Sequence, residues 1–171
     1  MSDLNFCSHD RRFGLSVPSR VVEGILSVCR SAASCETGGV LVGHYSKMHD
    51  CALVTSHSGP PSDSKAGATW FNRGVNGLGG WLKSLWTQQA DYYLGEWHFH
   101  PGAPPIMSPR DIRDMTAIAS SRMYKCPEPV LLIIGGIVTD KWQPGAYVFP
   151  KAEAYLEMRP GNRPPKCRKQ L

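Results

Sequence analysis

Apolar positions recur along this chain with two periods, and the switches between them lay out the elements. Residues 13–17 alternate weakly between apolar and polar, which predicts a first strand. After Pro18, the residues Val21, Val22, Ile25, Leu26 and Cys29 fall on one face of a 3.6-residue repeat, predicting a helix with the proline in its first turn. Gly38 and Gly39 are expected to end that unit. Residues 40–45 and 51–55 read as adjacent strands joined by a polar turn, and 59–64 as a loop rich in Pro and Ser. Residues 75–89 place Leu78, Trp81, Leu82, Leu85 and Trp86 on one helical face, although Gly77, Gly79 and Gly80 weaken that helix. A strand is expected over 92–98, then a stiff turn-rich stretch over 101–105. Ser108-Pro109 with an acid at Asp111 reads as a helix start, backed by the stripe Ile112, Met115, Ile118 and Ala119. Residues 130–138 are almost continuously apolar and suit a central strand, while 146–149 and 154–158 suit edge strands. There is no internal repeat.

The chain has 171 residues, enough to bury a core without disulfides, and 1–158 reads as one domain followed by a basic tail over 159–171. The net charge is +5, and Arg159, Arg163, Lys166, Arg168 and Lys169 hold much of the excess. Such a tail suits nucleic acid or an acidic partner, but its plainer reading is a solvated terminus. No helix-turn-helix or other reader of bases accompanies it, so nucleic acid is not an expected partner. The six cysteines, at 7, 29, 35, 51, 126 and 167, are irregularly spaced and form no C-x-x-C. The polar start Met1-Ser2-Asp3-Leu4-Asn5 carries no secretory pattern, so free thiols in a reducing cytoplasm are expected. No apolar run is long enough for a membrane helix.

The chemistry concentrates in Glu96-Trp97-His98-Phe99-His100-Pro101 and in Ser108-Pro109-Arg110-Asp111. Residues two apart on a strand share a face, so His98 and His100 converge while Phe99 points the other way into a core. A third ligand from Asp111 would leave one position of a tetrahedral zinc open, the layout of a catalytic site. The loop between His100 and Ser108 is long enough to bring Asp111 back to the imidazoles. Ser108 and Asp111 also have plain structural roles, as N-cap and as a charge favoured by the helix dipole, and these can coexist with catalysis. His9, His44, His49 and His57 read as packed or solvated residues. A zinc in this site would bring water's pKa toward neutrality, and a carboxylate would have to move the proton. Glu96 shares the histidines' face and Glu36 lies upstream; the residues alone leave the choice between them open. H-E-x-x-H, a deaminase H-x-E with P-C-x-x-C, and a G-x-S-x-G elbow are all absent.

These residues resemble the JAB/MPN metalloproteases with the JAMM motif: an upstream glutamate, then H-x-H, seven residues, then S-x-x-D. His98-Phe99-His100, residues 101–107 and Ser108-Pro109-Arg110-Asp111 match without a gap, and Glu36-Thr37-Gly38-Gly39-Val40-Leu41-Val42-Gly43 is similar to the family's glutamate segment. The resemblance covers roughly residues 10–150. It implies an α+β fold of three αβα layers, cytidine-deaminase-like, with a mixed central sheet and flanking helices. It implies Zn²⁺, one per chain, on His98, His100 and Asp111. It makes Glu36 the general base and then acid, and Ser108 the donor to the oxyanion. Family members hydrolyse amide bonds, most often isopeptide bonds after ubiquitin-like proteins. The segments 36–43 and 96–101 are further similar to the small JAB proteins of bacterial anti-phage (CBASS) operons and of integrative and conjugative elements. There an E1–E2-like fusion conjugates a CD-NTase, a cGAS-like nucleotidyltransferase, to targets, and the JAB protein removes it.

Other functions fit parts of the pattern: a non-catalytic MPN scaffold, a DNA-associated JAB-like protein of the RadC type, or a peptidase maturing a sulfur-carrier protein. The intact ligand set argues against the scaffold. For substrate contacts, residues 66–75 and 102–107 are candidates. Trp70, Phe71, Trp81 and Trp86 suit either a peptide channel or, more simply, a core.

Overall fold

The computed structural model describes residues 1–161. In chain order the elements are β1 (Leu4–Ser8), β2 (Gly14–Val17), α1 (Ser19–Ala32), β3 (Thr37–Tyr45), β4 (Cys51–His57), β5 (Lys65–Gly67) and β6 (Trp70–Asn72). They continue with α2 (Leu78–Gln89), β7 (Tyr92–Pro101), α3 (Pro109–Ser120), β8 (Val130–Gly136), β9 (Trp142–Val148) and β10 (Leu156–Gly161). Eight strands close on themselves in the order β1-β10-β9-β8-β7-β3-β4-β2, and β5-β6 form a separate hairpin. The sheet is mixed: β7–β8 and β2–β4 run parallel, the other pairs antiparallel.

Alternation along the strands sorts the side chains into two cores. Leu41, Trp97, Phe99, Leu132 and Ile134 join Val21, Val22, Ile25, Leu26 and Cys29 of α1. Val40, Val42, Leu131 and Ile133 join Met115, Ile118 and Ala119 of α3, with the partly buried Leu78, Trp81, Leu82 and Leu85 of α2 alongside. The near-continuous apolar run of β8 follows, because both of its faces are covered. Helices therefore lie on both faces, as the layered expectation requires. The sheet between them, however, closes into a barrel instead of staying an open middle layer.

Closure explains most departures from the sequence reading. The expected edge strands are not edges: β9 starts at Trp142, and β10 runs through Gly161, pairing with both β9 and β1. Residues 159–161, read as the start of the tail, are strand; the remainder, 162–171, lies outside the described residues. Strand β1 escaped notice because its buried positions include Asn5 and Ser8. Their polarity is absorbed locally, as when Ser16 Oγ donates to Asn5 Oδ1 at 2.9 Å. Helix α2 begins at Leu78 after Gly77 in the left-handed region and buries no residue fully, with Trp86 left exposed. No described helix is long and apolar enough to cross a membrane.

Two glycines shape the strands that meet at β7. Gly39 ends nothing; it sits inside β3, where a Cβ would collide with the Ser58 carbonyl and the Trp97 indole. Gly95, at φ +154°, lies where the β3–β7 register shifts between Leu41 and Val42, and a Cβ there would meet the Val130 backbone. This bulge reverses the alternation of β7. Tyr93 and Leu94 face the α3 core and the α1 core respectively, yet Trp97 and Phe99 then face the α1 core. Glu96, His98 and His100 are thereby turned to the α3 side. Gly95→Ala is expected to cost about 1–3 kcal/mol in urea unfolding. Gly79→Ala, on an α2 surface with nothing within 4 Å, is expected to be neutral or to add about 0.4–1 kcal/mol.

Candidate metal centre

The α3 start supplies the carboxylate. Ser108 is its N-cap and Pro109 its first residue, and a complete capping box forms with Asp111. Ser108 N and Ser108 Oγ both donate to Asp111 Oδ2 at 2.7 Å, while Asp111 N donates to Ser108 Oγ at 3.2 Å. With Oδ2 committed, Oδ1 is free to face β7, where it lies 2.9 Å from His98 Nδ1. The connecting segment is pinned to β8 by Gly102 N on Gly136 O and Gly136 N on Ala103 O. Among the described residues, donor atoms of His98, His100 and Asp111 form a group lying within 4.8 Å of one another. Two imidazoles and one carboxylate are a donor set suited to zinc, and three protein ligands leave a position open.

Glu36 occupies the connection between α1 and β3, half-buried. It precedes Thr37, which pairs with Phe99, so register alone carries it to the His100 end of β7. Its amide donates to Gly67 O at 2.8 Å, tying it to the β5–β6 hairpin. Burial pushes its carboxyl pKa up, the Asp111 charge pushes the same way, and His98 opposes them.

Glu96 is held quite differently. Arg73, just beyond β6, donates to its Oε1 from Nε at 3.0 Å and from Nη2 at 2.8 Å. Tyr124 Oη accepts from the same Arg73 Nη2 at 3.2 Å. Burial would raise the Glu96 pKa, but hydrogen bonds and charge from His98 and Arg73 prevail and lower it. Burial likewise pulls His98 down, yet the carboxylates of Asp111 and Glu96 beside it leave its pKa raised to about 9. For His100 burial wins and its pKa is lowered, which favours the neutral imidazole a metal requires.

The centre opens into a cleft of about 490 Å³ between β6 and α3, with Phe71 and Arg73 on one side and Arg110 and Asp114 on the other. Phe71 stands edge-on to the His98 ring at 6.0 Å. Of the other aromatics considered for a channel, Trp81 packs on the α3 core, and Trp70 and Trp86 are exposed. His44 pairs with Asp91 at 3.0 Å and His57 is half-buried edge-on to Trp97, so neither joins the centre. Sequence reasoning missed Arg73. A buried Glu96 does demand a cation, but nothing local says which one.

A family model described as prokaryotic homologs of the JAB domain matches residues 18–145. A CD-NTase/cGAS isopeptidase of Enterobacter hormaechei subsp. hoffmannii (strain UCI 50) is 39% identical over 159 residues, 93% of this chain and 88% of that protein. A probable metalloprotease, y4qB, of Sinorhizobium fredii (strain NBRC 101917 / NGR234) is 27% identical over 139 residues, 77% of this chain and 81% of its own. The solution structure of protein DSY2949 from Desulfitobacterium hafniense is similar in fold, with a TM-score of 0.59 over 81% of this chain and 86% of that one, at 20% identity.

Elemental analysis of purified protein is expected to find one zinc per chain, and less than about a tenth of that in Asp111→Asn or His100→Ala. In metal-free protein the raised His98 pKa makes stability fall with pH. Its contribution is complete below about 6.5, the unfolded value, and is lost as pH rises through about 9. Urea midpoints measured across that window should decline, and the decline should shrink in Asp111→Asn.

Proposed function

The chain belongs to the family of prokaryotic homologs of the JAB domain, and from that premise we propose that it is a zinc-dependent isopeptidase that removes a conjugated CD-NTase from its targets. The observation that carries this reading is the meeting of His98, His100 and Asp111 beside a cleft that His98 and Asp111 line, with Glu36 tied to the β5–β6 hairpin. The identity and name of the Enterobacter relative support the CD-NTase as substrate. The E1–E2-like fusion that makes such conjugates is the expected functional partner, and the cytoplasm is the proposed location.

A zinc held by the three ligands would polarise the scissile carbonyl and make water acidic near neutral pH. The rest of the chemistry falls to the chain's own groups. Glu36 takes a proton from the attacking water as its oxygen bonds to the carbonyl carbon. When the C–N bond breaks, Glu36 returns that proton to the departing lysine amine. A carboxyl pKa raised by burial and by Asp111 suits both halves of this exchange. Ser108 is the proposed donor to the carbonyl oxygen as charge develops there. Its hydroxyl donates to Asp111 Oδ2 in the structure, so this role requires it to turn.

The cleft between β6 and α3 suits an extended peptide tail. Arg110 spans it, donating from Nη2 to Asn72 Oδ1 at 3.3 Å. Any ubiquitin-like or sulfur-carrier tail would enter the same way, so substrates must be compared directly.

Incubation with a CD-NTase conjugate should release free CD-NTase, and a chelator should stop the release. Glu36→Gln should retain zinc yet cleave about 10²–10⁴-fold more slowly, in line with loss of general acid–base catalysis. A Glu36→Gln enzyme as fast as wild type would remove Glu36 from the mechanism. Faster turnover of a ubiquitin-like or sulfur-carrier fusion would reassign the substrate.

A further inference from the structure

We propose that Glu96, locked by Arg73, is a positioning residue that fixes the orientation and ring proton of His98 for the metal. The proposal rests on the metal-centre reading above and extends it to two residues outside the ligand set.

The ring of His98 stands between two carboxylates. Asp111 Oδ1 lies 2.9 Å from Nδ1, and Glu96 Oε2 lies 3.6 Å from Nε2. One side of the ring therefore faces the ligand set and the other faces Glu96. The two Glu96 oxygens have separate tasks: Oε1 receives two donations from Arg73, and Tyr93 Oη approaches the same oxygen at 3.4 Å. Oε2 is left for the histidine.

Glu96 is buried, and Arg73 and His98 are part-buried. Side-chain exposure is 8% for Glu96, 11% for Arg73 and 15% for His98. The two donations from Arg73 to Oε1 hold this carboxylate in place, with Oε2 set opposite the ring. A fixed carboxylate on the far nitrogen of a metal-ligating histidine sets its tautomer, holds its plane and strengthens its donor. Arg73 extends the effect further. It follows β6 directly, so the guanidinium also fastens the β5–β6 hairpin to β7, and Glu36 is bonded to that same hairpin.

The test is zinc affinity, measured on metal-free protein by competition with a chromophoric chelator, independently of any cleavage assay. Glu96→Gln keeps the shape of the side chain and removes its charge. It is expected to stay folded, as judged by metal-free thermal unfolding, and to bind zinc about 10–100-fold more weakly. The neutral pair Arg73→Gln with Glu96→Gln guards against an unpaired buried arginine, and the same loss is expected of it. Affinity within twofold of wild type in both variants would overturn the proposal and leave the pair a structural tie. So would failure of both variants to fold even with zinc. Absence of zinc binding in the wild-type chain would overturn the metal centre itself, a result distinct from failure of Glu96 alone.

Discussion

The site depends on the two-residue alternation of a single strand, β7, and on the bulge that resets it. Tyr93 and Leu94 set one phase, and Gly95 breaks it. Beyond the bulge, Trp97 and Phe99 are driven into the α1 core at 0% and 2% exposure. Their burial leaves Glu96, His98 and His100 no choice of face. A one-residue slip would put the imidazoles in hydrocarbon and the indole in the cleft. The apolar residues thus aim the polar ones: Trp97 also donates from Nε1 to Ser58 O at 2.9 Å, so its own polar atom resists the slip.

Asp111 shows how local helix chemistry and site geometry can use the same atoms. The capping box satisfies amides that the first turn of α3 would otherwise leave unpaired. In doing so it consumes one carboxylate oxygen and orients the other toward His98. The helix N-terminus adds a field that favours the ionised form. Weakening the cap would disturb the proposed ligand directly, because the two roles share a side chain.

These two features were legible in the sequence because both are short-range. The H-x-H face follows from strand period, and the Ser-Pro-x-Asp start from capping rules, so the order of residues alone brings His98, His100, Ser108 and Asp111 together. The α1 stripe and the buried β8 run were readable for the same reason. What escaped depends on distant pairing. Closure of the sheet through β1 and β10 joins the first described strand to the last; the strand read over 154–158 caught the start of β10, while β1 and the pairing itself went unread. Gly38 and Gly39 look like a break because glycine usually is one; here the cause is close approach of the Ser58 and Trp97 backbones. Arg73 stands 23 residues from Glu96 along the chain, and no local pattern marks it as that residue's cation.

The two acidic candidates for the proton-moving role are separated by environment rather than by sequence. Glu96 has the better position in a naive reading, since it shares the histidines' face. Yet His98 and Arg73 together lower its pKa against burial, and the guanidinium at 2.8 Å ties up one oxygen. Glu36 has no guanidinium partner among the groups that shift it, and burial together with Asp111 raises its pKa. A group that must both accept and return a proton near neutrality needs the second environment, not the first. The charge count points the same way. Glu36, Glu96 and Asp111 face one guanidinium, that of Arg73, and with neutral imidazoles a bound divalent cation would balance the remaining two charges. In such a set the carboxylate already matched to Arg73 is held ionised and in place. Glu36, matched to no guanidinium, is the one whose environment suits the proposed proton-moving role.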